Sequence, residues 1–504
     1  EPAQDRNRER RPDNQVRDRG PDRRRDDNRR DDRRSRDERC NDCDRQFRQH
    51  AAPPLVPGDN TMLERQTPQA SQSNAAEPRV MKGVVGRASF VVEGAGHLQR
   101  TNDMKLNRRQ GLALMSAAAL APGAALASGS YDVAVIGAGV FGAWIAERLK
   151  KAGASVALVD QFGVGHARAS SGGETRVTRY SYGGDPLYTE MARESLIAWK
   201  EVSARAATPI FHNAGVLWFS PAGDDYMAKS VAYFEKTGVK HRRMDRAALS
   251  GAYPQMRFFD GEAGFLEEET GALVAGRGVQ TVVALNGIPV TFAEAAAPKK
   301  KNGAFAPAPG VRAKTLVYAL GPWLPRLFPQ FLGGKIAATR QEVLHFGPAP
   351  GDERFAPPRL PVWADFNAGD LVYGIPDIEG QGFKFCFGGV GPEIDPDTEN
   401  RLVDPQTVAR AREYLARRFP DLKDAPLVHS RVCQYENSWN SDLVLDRHPE
   451  IENVWIAGGG SGHGFKLGPA VGRYLAERIA DPKLPAEPRF ALGAMKTVTE
   501  RLFR

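Results

Sequence analysis

Cysteine is scarce in this sequence, with four residues among 504, so the chain is not a disulfide-stabilised scaffold. Cys40 and Cys43 form a lone C-x-x-C pair, and no second pair completes a zinc site. We therefore expect no metal site. Cys386 and Cys433 lie far apart and do not make a disulfide framework. The fold must depend on packing, and a chain of this length with 41% hydrophobic residues is long enough for two ordinary domains.

Lysine is absent from the first part of the chain, where the first one is Lys82. Residues 1–50 contain seventeen Arg and fourteen Asp or Glu but almost no apolar side chains, which predicts disorder. A nucleic-acid-binding arm is one interpretation, but the interleaved acids oppose phosphate binding. Translated GC-rich upstream sequence fits the composition better. We expect that residues 1–103 do not belong to the mature protein and that no nucleic acid is bound.

Apolar runs long enough to span a membrane are also lacking. The candidate run within residues 104–127 falls short of the roughly 20 residues that a bilayer core requires, and Pro122 interrupts it. The run follows Arg108-Arg109 and ends in a small-residue pattern at 125–127, which is typical of a twin-arginine signal peptide. A helical hairpin or linker with incidental arginines is the alternative. The signal predicts a periplasmic protein, or a cytoplasmic one if it is not used.

The sequence after residue 127 begins with a βαβ pattern. "YDVAVIG" and "SVALVD" predict buried parallel strands. "VFGAWIAERLKKAG" between them predicts a helix with Trp144, Ile145 and Leu149 on one side. Near the end, "NVWIAGGGSGHGFKLGPAVGRYLAERIA" predicts another strand, a glycine-rich turn and a helix. The nucleotide-binding domain therefore both begins and ends the globular part of the chain.

The middle of the chain has a different pattern. "GVLWFS" and "DLVYGIP" are strand candidates separated by turn residues, which predicts a second domain with a mixed or antiparallel sheet. "APKKKNGAFAPAPG" at 297–310 predicts a surface loop.

The fold class is α/β, with a Rossmann-type domain and a substrate domain. We assign 130–210, 265–335 and 430–490 to the first domain, and 211–264 and 336–429 to the second.

A dinucleotide fingerprint lies at the first strand–helix junction. Gly137, Gly139 and Gly142 form G-x-G-x-x-G, and Asp160 ends the second strand. Gly137 makes the tight turn, Gly139 lets the backbone approach a pyrophosphate at the helix N-terminus, and Gly142 lets helix and strand pack. Asp160 is placed to accept a hydrogen bond from a ribose hydroxyl. A plain glycine-rich turn would not bring strand, helix and acid together, so we expect a bound dinucleotide.

Four blocks in the globular part resemble the sarcosine oxidase and N-methyltryptophan oxidase group of FAD-dependent amine oxidases. They are "ASSGGETRVTRYSYGGDPLYTEMARESLIAWKE", "DLVYGIP" followed by "GFKF", "SRVCQYENSWNSDLVLDRHPE" and "AGGGSGHGFKLGPAVG". The resemblance spans nearly all of residues 131–480 in family order. It implies an FAD-binding Rossmann-type domain and oxidation of the C–N bond of an amino acid or N-alkyl amino acid, with oxygen as acceptor and hydrogen peroxide as product.

The resemblance also implies how the cofactor is held. Cys433 matches the cysteine that carries the flavin through a thioether, although a buried structural cysteine is the usual reading of such a residue. Arg176 matches the arginine that lies against the flavin. The block containing Gly462, His463 and Gly464 leaves room for the isoalloxazine ring.

The substrate and oxygen sites follow from the same resemblance. Arg179 and Lys466 match the residues that bind the substrate carboxylate, for which a guanidinium is suited, and Lys466 also lies at the flavin. Lys384 matches the lysine near flavin N5, where a fixed cation stabilises developing superoxide. Tyr373 and Tyr435 match aromatic walls of the substrate site. Surface arginines, an edge lysine and core tyrosines are the respective alternatives.

Two departures from the family pattern affect the choice of substrate. Gly172 and Gly388 stand where sarcosine oxidases have histidines, and we expect their loss to enlarge the cavity. A larger secondary amine or amino acid is then at least as suitable as sarcosine. We expect a monomer. A dehydrogenase that passes electrons to a quinone or carrier, and a non-catalytic protein that only binds a flavin or ligand, are the alternative functions.

Overall fold

The computed structural model describes residues 128–367 and 371–496, which belong to the unit Asn102–Arg504. The predictions for residues 1–103 and 104–127, including those for Cys40 and Cys43, lie outside the described residues. Within the described ranges, no helix is long and apolar enough to cross a bilayer.

Strands and α-helices are numbered here over the described residues alone. The strands are β1 Gly129–Ile136, β2 Val156–Asp160, β3 Thr175–Thr178, β4 Phe211–His212, β5 Val216–Pro221, β6 His241–Asp245, β7 Glu262–Glu267, β8 Gly271–Val274, β9 Val290–Phe292, β10 Lys300–Lys301, β11 Ala304–Ala308, β12 Val311–Tyr318, β13 Ile336–Phe346, β14 Val362–Asp365, β15 Val372–Ile375, β16 Phe383–Phe387, β17 Leu427–Ser438, β18 Val444–Arg447 and β19 Val454–Gly458. The helices are α1 Val140–Lys151, α2 Pro186–Arg205, α3 Asp225–Thr237, α4 Arg246–Ala252, α5 Ala275–Leu285, α6 Leu324–Leu327, α7 Pro329–Leu332, α8 Pro405–Arg418 and α9 Gly468–Ala480.

The first sheet has the order β10-β11-β12-β1-β2-β9, and β19 pairs with β12 and with β18. β1 is parallel to both β12 and β2, which confirms the predicted βαβ unit. Trp144, Ile145 and Leu149 of α1 are buried, as the periodicity predicts. The C-terminal strand, glycine turn and helix are also confirmed, as β19 and α9. The first and last segments of the described chain therefore share one layer.

The predicted surface loop at 297–310 is wrong, because β10 and β11 form there. β11 pairs antiparallel with β12, and Phe305 and Ala308 are buried against the first sheet. The composition of this segment is loop-like, but two inward side chains are enough to hold a short edge hairpin.

The second sheet has the order β17-β13-β16-β15-β14-β5-β7-β6, and its pairs are antiparallel except β14 with β5. A third sheet joins β3, β8 and β4. The assignment of residues 430–490 to the first domain does not match the strand pairing at its start, because β17 pairs with β13 along its length. The strand that carries Cys433 therefore belongs to the second sheet.

Strand alternation in the second sheet separates a core face from a site face. On β16, Phe383 and Phe385 are fully buried in a core cluster, while Lys384 and Cys386 point to the opposite face because side chains alternate along a strand. Cys386 joins Cys433 of β17 in a small cluster on that face. Lys384, Cys386 and Cys433 thus lie on the same face of the second sheet, which we call the site face.

Candidate active site

The glycine fingerprint forms the tight turn between β1 and α1. Gly137 has φ +103°, a conformation that favours glycine, and an added Cβ would collide with the Ala319 carbonyl. A Cβ on Gly142 would collide with the Gly137 carbonyl, so only glycine lets α1 pack on β1 here. At Gly139, which precedes the first turn of α1, an added Cβ would lie 3.2 Å from Ser171 Oγ. Gly137 and Gly142 therefore have the steric roles predicted for them, and the approach of a pyrophosphate at Gly139 stays a prediction.

Asp160 lies at the end of β2, and its carboxylate accepts hydrogen bonds from three backbone groups. Oδ2 accepts from Ala138 N at 2.8 Å, and Oδ1 accepts from Phe162 N and Gly163 N at 2.8 and 2.9 Å. These bonds order the loop after β2 and join it to the glycine turn. Asp160 also lines the cavity described next.

A cavity of about 550 Å³ connects this turn with the second sheet. This volume is in the range of small-molecule and cofactor sites. The cavity wall includes most of the residues that the sequence predicts for the site. They are Gly137, Gly139, Asp160, Arg176, Arg179, Tyr373, Lys384, Cys433, Tyr435, Gly462, His463, Gly464 and Lys466. Tertiary folding thus brings together residues that are distant in the sequence.

Lys384 is buried at 3% exposure, and its Nζ donates to the Thr175 carbonyl at 2.7 Å. Burial, with a further contribution from the nearby Arg176 charge, lowers the pKa of Lys384 to about 8. A lysine in this position keeps its positive charge at neutral pH while buried in the cavity wall. It can therefore stabilise negative charge that develops nearby.

Cys433 lies beside Arg176 in the cavity wall. Arg176 Nη2 is 3.8 Å from Cys433 Sγ, and the same nitrogen donates to the carbonyls of Ser170 and Gly172 at 2.7 Å each. These bonds hold the guanidinium at a fixed position. The sulfur of Cys433 therefore lies in the cavity wall against a guanidinium of fixed position.

Arg179 and Lys466 approach one aromatic ring, that of Tyr182. Arg179 Cζ lies 4.2 Å and Lys466 Nζ 5.0 Å from the ring centroid. Burial and the Arg179 charge lower the pKa of Lys466 well below its ordinary value. The charged Arg179 guanidinium and the Lys466 amine, both at the Tyr182 ring, offer hydrogen-bond donors suited to an anionic group such as a carboxylate.

Tyr373 lies on β15 and Tyr435 on β17, and β16 and β13 separate these two strands in the second sheet. Their hydroxyl oxygens are 3.4 Å apart, and Tyr373 pairs in register with Cys386. Burial raises the pKa of Tyr435 to about 12, so this phenol stays protonated at neutral pH. Both residues line the cavity and give it an aromatic wall.

The block at 462–464 turns tightly next to Tyr435. Gly462 has φ +77°, and an added Cβ would lie 2.7 Å from the Tyr435 ring. His463 is fixed at both ring nitrogens, 3.2 Å from Tyr182 Oη and 2.9 Å from the Ser441 carbonyl. A Cβ on Gly464 would lie 2.8 Å from Phe141, which comes from the fingerprint helix. The turn is therefore packed between Tyr435 of the second sheet and Phe141 of α1.

The expected enlargement of the cavity at Gly172 and Gly388 is wrong. A Cβ on Gly172 would collide with the His166 carbonyl and lie 2.7 Å from the Arg431 side chain. A Cβ on Gly388 would lie 2.8 to 2.9 Å from atoms of Leu371. The space next to each glycine is filled by a neighbour rather than left open.

Three residues of the site escape sequence reasoning. Ser171 Oγ accepts from Val140 N at 2.9 Å and so caps α1. Glu267 is fully buried and accepts from the backbone N–H groups of Tyr180 and Ser181, which fixes the segment after Arg179. Glu436 is buried in the cavity wall. Ser171 and Glu267 contact segments that are distant in the sequence, so no local pattern indicates their roles. Glu436 is the acid of the "CQYEN" block, and this is the sequence signal that could have identified it.

The residues present fit an FAD molecule. Gly137 and Gly139 of the turn line the cavity, and this turn is where a pyrophosphate binds in folds with this fingerprint. Among the described residues, Oε2 of Glu436 is a buried cavity atom without a hydrogen-bond partner, which a hydroxyl or N–H of a bound cofactor can supply. Asp160 in the same wall has a carboxylate at the place where a ribose binds in such folds.

The fold and this cavity define a dinucleotide-binding α/β flavoprotein. The family described as DAO, FAD dependent oxidoreductase, matches residues 132–478, and the chain belongs to this family. The family match agrees with the resemblance that the sequence blocks carry. The protein is an FAD-dependent oxidoreductase of the sarcosine oxidase and amino acid oxidase type.

Two relatives and one solved structure illustrate the likeness. Peroxisomal sarcosine oxidase of Mus musculus is 30% identical over 362 residues, covering 69% of this chain and 91% of the relative. Monomeric sarcosine oxidase of Streptomyces avermitilis is 30% identical over 367 residues, covering 69% and 94%. L-proline dehydrogenase from P. horikoshii shares the fold, with a TM-score of 0.61, 20% identity and coverage of 71% of this chain and 95% of that one.

Proposed function

We propose that the protein oxidises the C–N bond of an amino acid or N-alkyl amino acid to an imine, with oxygen as acceptor and hydrogen peroxide as product. The observation that carries the proposal is the placement of Arg179 and Lys466 at Tyr182, in the cavity that also holds Lys384. The relatives act on amino acids, as their names state for sarcosine. Bound FAD would supply the redox chemistry: it would take the hydrogen of the C–H bond next to nitrogen together with its two electrons, while the amine loses a proton, and would pass the electrons on.

Arg179 and Lys466 would bind the substrate carboxylate. Both are buried, so an anion that contacts them gains more from the Arg179 charge than it would in water. Tyr373 and Tyr435 would then flank the amine end and exclude water from it. With the carboxylate held, the carbon that loses electrons is oriented by the binding site.

Lys384 would act in the second half of the reaction. Its ammonium group is held by the Thr175 carbonyl inside the cavity, so it needs no rearrangement when negative charge develops on oxygen. Water can hydrolyse the released imine outside the protein. The residues of the site thus bind, orient and supply charge, and the redox chemistry belongs to the cofactor.

We also propose that Cys433 carries the flavin covalently, through a thioether. The support is the place of the Cys433 sulfur in the cavity wall, 3.8 Å from the Arg176 guanidinium. The step removes one proton from the thiol and one from the 8α-methyl group, and oxygen takes up the two electrons released. Cys386 lies in the same cluster, but burial raises the pKa of its thiol, which disfavours the thiolate there.

A dehydrogenase that delivers electrons to a quinone or carrier is the second candidate, because L-proline dehydrogenase shares the fold. The test is an anaerobic panel of amino acids and N-methyl amines scored by bleaching of flavin absorbance, followed by admission of air. Bleaching by a carboxylate-bearing amine with fast recovery in air supports the oxidase. Bleaching with slow recovery supports the dehydrogenase, and no bleaching by any amine supports a non-catalytic binding protein.

We further propose that the protein is exported to the periplasm and acts as a monomer. The support for export is the Arg108-Arg109 pair followed by an apolar run and a small-residue ending. N-terminal sequencing of the cell-made protein tests it, since cleavage after 127 gives a chain that begins near Ser128. Sedimentation of the purified holoenzyme tests the monomer.

A further inference from the structure

A second cluster of polar side chains lies on the site face of the second sheet, outside the contacts that bind substrate. His345 of β13 and His429 of β17 are register partners, and their ring centroids are 5.2 Å apart. Glu174, which directly precedes β3, lies beside them, with His429 Nε2 3.4 Å from its Oε1. Donor atoms of all three residues lie within 4.8 Å of one another.

The three side chains differ in burial: His345 is buried, whereas His429 and Glu174 are partly exposed to solvent. His345 is only 2% exposed, and in the described part of the chain its Nδ1 has no hydrogen-bond partner. A buried ring nitrogen without a partner requires an explanation, because most such groups are paired. The side chains of His429 and Glu174 are 46% and 27% exposed, so an ion from solution can reach the cluster.

We propose that Glu174, His345 and His429 form a binding site for a divalent transition-metal ion of the zinc class. Two imidazoles and one carboxylate, with a water molecule in the fourth position, are a usual ligand set for Zn²⁺. The 3.4 Å separation of His429 Nε2 and Glu174 Oε1 is close to the spacing of two ligands on a tetrahedral ion with bonds of about 2.0 to 2.1 Å. Small rotations about the side-chain bonds of His345 and Glu174 would bring the third donor into place.

The site would connect elements that hold the active site. An ion bound there joins β13 and β17 to the residue before Thr175, whose carbonyl holds Lys384. The Lys384 charge opposes a cation nearby, so the site is expected to bind more weakly than a structural four-ligand zinc site. The expectation of no metal site, drawn from the cysteines, does not apply to this cluster, because its three ligands are scattered in the sequence.

The experiment measures Zn²⁺ bound to tag-free holoenzyme by equilibrium dialysis and metal analysis. We expect about one ion per chain, and a loss of affinity of tenfold or more in His429→Ala and in Glu174→Gln. These residues are partly exposed, so both variants should fold, whereas replacing the buried His345 would test folding as well as binding. Zinc should also raise the Tm of the wild-type protein but not of the variants.

The matched control is His212→Ala. His212 Nε2 lies 3.2 Å from Glu379 Oε1, a comparable half-buried pair, but Arg277 engages that carboxylate. No third donor joins this pair among the residues that the structure describes. The control should bind zinc like the wild-type protein. Absence of bound zinc in the wild-type protein, or equal affinity in His429→Ala and Glu174→Gln, would overturn the proposal. An anomalous difference peak at the zinc edge between the two histidines would place the ion directly.

Discussion

Lys384 and Arg176 donate hydrogen bonds to one acceptor, the Thr175 carbonyl oxygen, at 2.7 and 2.8 Å. This shared acceptor holds two positive charges next to each other inside a cavity. Because Arg176 also contacts Cys433, the proposed oxygen site and the proposed flavin attachment site are connected through a single peptide group. Changes at any of these residues should therefore have distinct and measurable consequences.

Replacing Lys384 with Met should slow reoxidation of the reduced enzyme by oxygen about 100-fold or more, since one preorganised charge is worth that much at a developing anion. The rate of anaerobic bleaching by substrate should change far less. Stopped-flow absorbance measures both half-reactions. Lys301→Met, at an exposed strand position, is the control and should leave both rates unchanged. Unchanged reoxidation in Lys384→Met would instead show that Lys384 does not promote the reaction with oxygen.

The pH dependence of reoxidation should follow Lys384. Its pKa is lowered to about 8, so the ammonium is present below this pH and is lost as the pH rises through it. The rate constant for the reaction with oxygen should therefore fall above about pH 8. Lys384→Arg keeps its charge throughout, so its profile should be flat up to pH 10. A wild-type profile that rises across this interval would contradict the assignment.

Cys433→Ala should abolish covalent flavin while Cys386→Ala preserves it. The reason is that Arg176 contacts the sulfur of Cys433, whereas burial raises the pKa of the Cys386 thiol. Flavin fluorescence on a denaturing gel is the measurement. Flavin that dissociates from the unmutated protein on denaturation would exclude the covalent link altogether.

Arg179→Met should raise KM for carboxylate-bearing amines by about 30-fold or more, which corresponds to the lower end of the cost of breaking a buried charge pair. An amine of the same size without a carboxylate should be affected much less. Steady-state kinetics with both substrates provide the comparison. Arg193→Met, at a partly exposed helix position paired with Glu190, is the control. Equal losses for both substrates would show that Arg179 supports the fold rather than the carboxylate.

Glu436→Gln should change how stability depends on pH. Burial raises the pKa of Glu436 to about 8, so the folded protein holds a proton there that the unfolded chain releases above about pH 4.5. Between these values the free energy of unfolding should fall as pH rises, by up to about 1.4 kcal/mol per pH unit from this group. The Gln variant lacks this contribution. Denaturant unfolding of both holoenzymes from pH 5 to pH 8 measures it, and parallel curves would refute the raised pKa.

The local sequence determined much of the nucleotide-binding half. The fingerprint, its strands and its helix are contiguous, so periodicity and three glycines were enough to predict β1, α1 and β2. The family blocks then predicted the residues that line the cavity. They could not predict that the space next to Gly172 and Gly388 is filled, because Arg431 and Leu371 come from elsewhere in the chain.

The sequence by itself determined which chemical groups are present: a glycine-rich dinucleotide turn, the basic residues Arg179 and Lys466, a lysine between phenylalanines and a cysteine in a recognisable block. Only the tertiary structure decided which of these groups touch. Strand pairing moved Cys433 into the second sheet, gave Lys384 and Arg176 one acceptor, and gathered Glu174, His345 and His429. The physical reason is that hydrogen-bond partners and burial depend on register and packing between distant segments, which no local pattern encodes.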